Sequence, residues 1–261
     1  MSLNYLPKWF SSVLGILQIG RQKIPWGVAR VWNVTDPFNP IDYTSLERGE
    51  RTGVDAVNLD LALNELSGLN LVYIEGENKR SAGGRLKTNL AGTDYSLLGA
   101  KLGGDYLVGF DFAGQVRGAG VRGEMAYTKA QAEADYGRFI LSYDFTFPNS
   151  LYFLVEWYYN GQGKDDLANY QWNRLYSQEI QNLARNYGFI GITYDLSSRF
   201  KSGLYFIQNA NDGSSYENPS LEYSLNENAL GVIGAYIMSG KAGSEFGAMS
   251  NLYYAQLTCY F

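Results

Sequence analysis

The chain of 261 residues has no histidine, a single cysteine (Cys259), six prolines and no long hydrophobic run. Without histidine, Ser-His-Asp and Cys-His nucleophilic arrangements are impossible. One cysteine cannot close an internal disulfide, so cysteine spacing does not report the redox compartment. The longest nearly uncharged apolar stretch, ALGVIGAYIM at 229–238, is far short of the roughly 20 residues a membrane-spanning helix needs, which excludes a helical membrane protein. Basic clusters are scarce as well. The net charge is −5, the pI about 4.9, and the nearest basic cluster, GENKR at 76–80, reads as a solvated loop, so no nucleic-acid partner is expected. The first twenty residues, one basic residue and then a mildly apolar stretch, lack a clean small-x-small cleavage site and read as mature chain.

What the chain does have is alternation. In VDAVNLDLALN, Val57, Leu59, Leu61 and Leu63 share one face, and Asn58, Asp60, Ala62 and Asn64 the other. RFILSYDFTF and LYFLVEWYYN repeat the pattern, and clusters of Gly, Asn, Asp and Ser separate such stretches. Period two with these breaks predicts strands. We place them at 14–26, 54–64, 69–77, 83–90, 93–102, 105–114, 119–128, 136–147, 151–161, 187–196, 200–209, 218–225, 229–239 and 248–261. Most are longer than the mode of soluble sheets and suit strands crossing a bilayer at a tilt.

The connections alternate in length. The odd-numbered ones, 27–53, 78–82, 129–135, 162–186, 210–217 and 240–247, are the longer, and the even-numbered ones are short. The Gly103-Gly104 link is the exception. A transmembrane barrel with tight periplasmic turns and long outer loops has this asymmetry, and it would put both termini on the periplasmic side. A soluble sandwich would have shorter strands with a polar outer face, and a solenoid would show a fixed repeat. The expected fold is therefore all-β: one transmembrane antiparallel up-and-down β-barrel of about fourteen strands, with twelve or sixteen as the alternatives.

The last residues, NLYYAQLTCYF at 251–261, carry Tyr253, Ala255, Leu257, Cys259 and Phe261 on one face. This end resembles the C-terminal signature of Gram-negative outer-membrane barrels. That resemblance implies recognition of Tyr253, Leu257 and Phe261 by the barrel-assembly machinery and a location in the bacterial outer membrane, among lipid and lipopolysaccharide. LQIGRQKIPWG at 17–27, TDPFNPID at 35–42, ERGERTGVDAVNL at 47–59, and the later GGRLKTNLAGTDYSLLGAKLGGDYLVGFDFAG and GAGVRGEMAYT resemble porin-like proteins of the alginate-export-like group. The first 60 residues are the most specific part. The resemblance brings no catalytic residues. Barrel proteases, phospholipases and lipid-A acyltransferases lean, as families, on a histidine this chain lacks, so no enzyme activity is expected.

No metal or cofactor is expected either. Cys259 stands alone as a small apolar residue, and Asp60, Asp111 and Glu124 lie in no dense cluster or EF-hand-like loop. GGDYLVG and GAGVRG are turn and wall glycines, because the strand-to-helix context of a phosphate loop is missing.

Ionisable residues inside strands are costly on a lipid face, so they are expected to line the pore: Arg21, Lys23, Asp60, Arg85, Lys87, Asp94, Asp111, Arg122, Glu124, Arg138, Asp144, Glu156, Asp195 and Glu222. These charges either line a hydrated channel or pair across it as a plug. The loop 27–53, with Trp32, Phe38 and Tyr43, is expected to be ordered. It either folds inward as a constriction lined by Arg30, Asp36, Asp42, Glu47, Arg48 and Arg51 or forms an ordinary outer loop. Residues 165–185 read as a helix, acidic at the start and with Arg at the end, able to cap the outer mouth. The expected function is passive diffusion of small polar or ionic solutes. The alternatives are a blocked barrel that binds a partner through its loops and a transporter of small apolar ligands.

Overall fold

The computed structural model describes residues 14–38, 53–76, 80–177 and 179–260. Fourteen strands run in chain order: β1 (Leu14–Gln22), β2 (Val54–Asn64), β3 (Ser67–Glu75), β4 (Arg80–Leu90), β5 (Thr93–Leu102), β6 (Asp105–Val116), β7 (Ala119–Lys129), β8 (Tyr136–Thr146), β9 (Tyr152–Asn160), β10 (Asn186–Asp195), β11 (Phe200–Asn209), β12 (Ser215–Asn226), β13 (Ala229–Ser239) and β14 (Leu252–Cys259). They form one antiparallel up-and-down sheet whose neighbour order is the sequence order. The alternation of long and short connections holds, with the Gly103-Gly104 link again the exception. The β4–β5 turn has two residues, Ala91 and Gly92, both at positive φ. That geometry matches the twist of the strands it joins.

Strand ends depart from the periodicity where backbone chemistry intervenes. β1 stops at Gln22 rather than at 26, because Pro25 has no N–H to pair and the Trp26 N–H bonds the Ile24 carbonyl across it. β12 begins at Ser215 and passes through Pro219. The ladder to β13 is interrupted between Glu217 and Ser220, and the Asn218 side chain donates to the Ala235 carbonyl there at 3.0 Å. A side chain thus supplies a donor where the proline ring cannot.

The expected helix over 165–185 does not form. A 3-10 turn at Leu167–Asn169 and a single α-turn, α1 (Trp172–Tyr176), are all the helix among the described residues of this stretch. Neither has a side-chain N-cap bond. Tyr170, Ile180 and Leu183 are buried, so the apolar residues that suggested a helical face are those on which a compact loop packs.

The chain divides into two compact units, residues 1–115 with 122–139, and 116–121 with 140–261. In the first unit one face of the sheet is covered: Asn58, Val72, Ser96, Leu98, Leu107, Asp111 and Glu124 are buried. The opposite face exposes Val57, Leu71, Leu86, Leu97, Val108 and Met125, with Leu97 63% accessible. The second unit has the same inversion. Ser142, Glu156, Asn160, Asn209 and Asn218 are buried, while Leu141, Trp157, Ile190, Leu204, Ile233 and Leu257 are exposed. In each unit the accessible face is largely apolar, and the covered face mixes polar and charged groups with apolar ones such as Leu98 and Leu107 in the first unit and Ile140 and Phe189 in the second.

Candidate functional site

The most structured feature on the polar face of the first unit is the segment that follows β1. Ile24, Trp26, Val31, Trp32, Val34 and Phe38 are buried, as are Thr35 and Asp36. Trp26 packs edge-on to Phe38 at 5.0 Å and donates its indole N–H to Asn70 Oδ1 at 2.7 Å. The Asn33 side chain holds the segment's own fold, donating to the Trp26 carbonyl at 2.9 Å and accepting the Asp36 N–H at 2.7 Å. Gly27 lies beneath it at φ +84°, where a Cβ would stand 2.2 Å from Asn33 Oδ1, so only glycine fits.

Glu124 of β7 fixes this segment to the sheet. Its Oε1 accepts the N–H groups of Val28 and Ala29 at 2.6 and 2.7 Å, and its Oε2 those of Val34 and Thr35 at 2.8 and 3.0 Å. The carboxylate is 1% exposed. An ionised carboxylate is acceptor-only and has room for about four donors, and here four backbone amides of one folded loop supply them.

Beside this segment lies a cavity of about 710 Å³ lined by Lys23, Trp26, Asn58, Asp60, Asn70, Arg85, Lys87, Asn89 and Asp94, among others. It gathers Lys23, Asp60, Arg85, Lys87 and Asp94 of the expected pore-lining set. Asn70 donates to Asp60 and to Asn58, each at 2.6 Å. Lys87 pairs with Asp94 at 3.0 Å, and Arg85 with the buried Asp111 at 3.1 Å.

In the second unit a cavity of about 550 Å³ is lined by Asp195, Arg199, Lys201 and Glu222 with several serines. The register puts Asp195 opposite Lys201 and Lys201 opposite Glu222. Connections of this unit also fold onto a buried cluster. Glu245 accepts the hydroxyl of Tyr187, the Asn209 amide at 2.8 Å and the Leu183 N–H at 3.1 Å. Its own N–H donates to Asp212, which also accepts the Tyr170 hydroxyl at 3.1 Å. Burial pushes the Glu245 carboxyl up to about 7; bonds from Tyr187, Leu183 and Asn209 oppose that rise, and the charge of Asp212 adds to it. Burial, with Asp212 nearby, likewise raises Tyr170.

The expected residues therefore fall into several places. Arg21 is a correction: the register pairs it with Asp55 on the face of Ile19 and Val57, where the two side chains form an exposed ion pair at 2.6 Å. Its partner at the strand end, Asp55, takes up the charge. Glu124 is on the polar face as expected, but as an anchor for the loop. Glu156 is buried, Arg122 and Asp144 are half-buried, and Arg138 stands 5.7 Å from the Tyr136 ring centre. Arg30 is exposed and Asp36 buried; Asp42, Tyr43, Glu47, Arg48 and Arg51, like Glu77–Lys79 of the GENKR loop and Phe261, lie outside the described residues. Tyr253, Leu257 and Cys259 share the exposed face of β14. Lys201 was missed although its alternation with Ile207 and Asn209 marks it. Asn58 and Asn70 carry no charge to mark them in the sequence, yet they tie the row beside Asp60 together.

No protein-family model matches the chain, and no curated protein is similar enough to it to be matched.

Proposed function

We propose that the fourteen-stranded sheet closes into an outer-membrane β-barrel of a Gram-negative bacterium, and that its polar interior is a passive route for small polar or ionic solutes, narrowed by the segment 24–38. The observation that carries this reading is the row of large apolar side chains left accessible in both units while carboxylates, a guanidinium and carboxamides are among the groups covered. A soluble protein rarely exposes so much contiguous apolar surface, whereas a barrel in lipid needs it. An even strand count is what closure requires, since it lets the first and last strands of an up-and-down sheet pair antiparallel. In this reading Tyr253, Leu257 and Phe261 form the signal for the assembly machinery.

Two measurements test it. A fluorophore on Cys259, the chain's single cysteine, should be quenched by brominated lipid after refolding into vesicles; an aqueous quencher acting instead would overturn the membrane reading. Single-channel recording in a planar bilayer should then give stable conductance steps. A folded but silent barrel would favour the second reading, a structural barrel that binds a partner. That alternative draws on the fully buried side chains of the loops in each unit, Trp32 and Val34 in one and Leu183 and Phe246 in the other.

A further inference from the structure

We propose that the cavity on the polar face of the first unit is a binding station for small neutral polyhydroxylated solutes, sugars or polyols; the proposal rests on the channel reading above. At about 710 Å³ the cavity lies in the size range of small-molecule sites. It reaches from the start of the anchored segment, at Lys23 to Trp26, to the β2–β3 turn at Asn64 to Leu66. A solute following this face would meet both the segment and the cavity.

The wall chemistry selects the class. Gln18, Asn58, Asn70 and Asn89 contribute carboxamides. The strand register makes Asp60, Asn70 and Arg85 lateral neighbours in one row, and Gln18 and Asn58 neighbours in another, with a spacing of about 4.8 Å per strand. Asn58 and Asn70 are spent on holding one another, Gln18, Asp60 and Trp26 in place, and the lone pairs left on the carboxylates with the N–H groups left on the cations suit a vicinal pair of hydroxyls, each both donor and acceptor.

Charge excludes the obvious competitors. The cavity sets Lys23, Arg85 and Lys87 against Asp60, Glu65 and Asp94, and Asp111 stands behind Arg85. Arg85 and Lys87 already hold carboxylates, and Lys23 makes contacts of its own. An anionic solute meets no net positive charge here, because three cations of the lining face three carboxylates. A hydroxyl can bond these paired groups without separating them, because each carboxylate keeps lone pairs and each cation keeps N–H donors. Asp60, bonded by the amides of Asn58 and Asn70, retains acceptor sites for the same purpose.

The experiment is ion current through the refolded protein in potassium chloride, with D-glucose added, and gluconate and choline as the anionic and cationic comparisons. Glucose should lower the current in a saturable way. The half-blocking concentration should rise about fivefold in Asp60→Ala and in Lys87→Met, the effect of losing one hydrogen bond, and stay unchanged in Glu227→Gln, which alters an exposed turn of the second unit. A conducting channel whose current ignores glucose up to about 100 mM, or is blocked by choline instead, overturns the station and leaves the channel. Absence of any current overturns the channel first. Saturation-transfer NMR of glucose with the same folded protein then decides the station: a signal weakened in Asp60→Ala keeps the site, and no signal ends it.

Discussion

Two buried glutamates hold loops in this protein, one in each unit, and they do so by opposite means. Every group bonded to Glu124 is a backbone N–H, and all four come from residues 28–35. Glu245 is bonded by a phenol, a carboxamide and one backbone N–H, and shares its surroundings with a second carboxylate, Asp212. Both are 1% exposed. Equal burial thus goes with two different donor sets, one all backbone and one mostly side chain. Glu124 gathers four donors from the backbone of one loop, whereas Glu245 is surrounded in a way that favours taking up a proton.

The largest break in this comparison comes from Glu124→Gln. A glutamine offers one acceptor oxygen and turns an NH2 group toward two amides, leaving two N–H donors unmatched at about 2 kcal/mol each. Amide exchange of Val28, Ala29, Val34 and Thr35 should accelerate by roughly a hundredfold or more, and the conductance of the proposed channel should rise as the segment loosens. Unchanged protection at these four amides would show that the Trp26 and Asn33 contacts suffice without the carboxylate.

The second unit should respond to pH instead. Glu245 holds its proton in the folded protein up to about pH 7, whereas an unfolded glutamate loses it near the ordinary value of about 4.3. Between these values the folded state binds more protons, so stability falls as pH rises and has reached its lower level above about pH 7. The loss is on the order of 3 kcal/mol. The facing titratable groups, Tyr170, Tyr187 and Asp212, supply no cation to offset it. Proteolysis within the 161–185 connection should be slower at pH 5 than at pH 8, and Glu245→Gln should flatten that difference. A variant that keeps the full pH dependence would assign the titration to another group.

These two sites were unequally legible in the sequence. Strand alternation is a property of neighbouring residues, so most strands and the order of long and short connections could be read from it. Glu124 could be assigned to the polar face by parity, but its four partners lie about ninety residues away, and no local pattern announces them. Arg21 was misread because parity was carried to the strand end, where an ion pair with Asp55 replaces the interior environment. Glu245 sits in GSEFG, which carries only turn signals; its importance arises from Tyr187 and Asn209, on two strands that the connection covers. The 165–185 stretch reads as helix in the sequence but folds as a compact loop, because burial inside such a loop and burial along a helix select similar apolar residues.

The finest test of the comparison is Asp212→Asn. The charge of Asp212 is the least of the causes acting on Glu245, behind burial and three hydrogen bonds, so removing it should move the midpoint of the pH transition to lower pH by less than about one unit. The substitution also disturbs the bonds that Asp212 accepts from Tyr170, the Glu245 N–H and the Ser214 N–H, and that loss should lower stability at every pH. The two effects separate by their form. A structural loss displaces the whole stability curve without moving its inflection, while an electrostatic one moves the inflection itself. An inflection left in place would mean that burial and hydrogen bonding alone set the titration of Glu245, and that the second carboxylate matters only for the bonds it accepts.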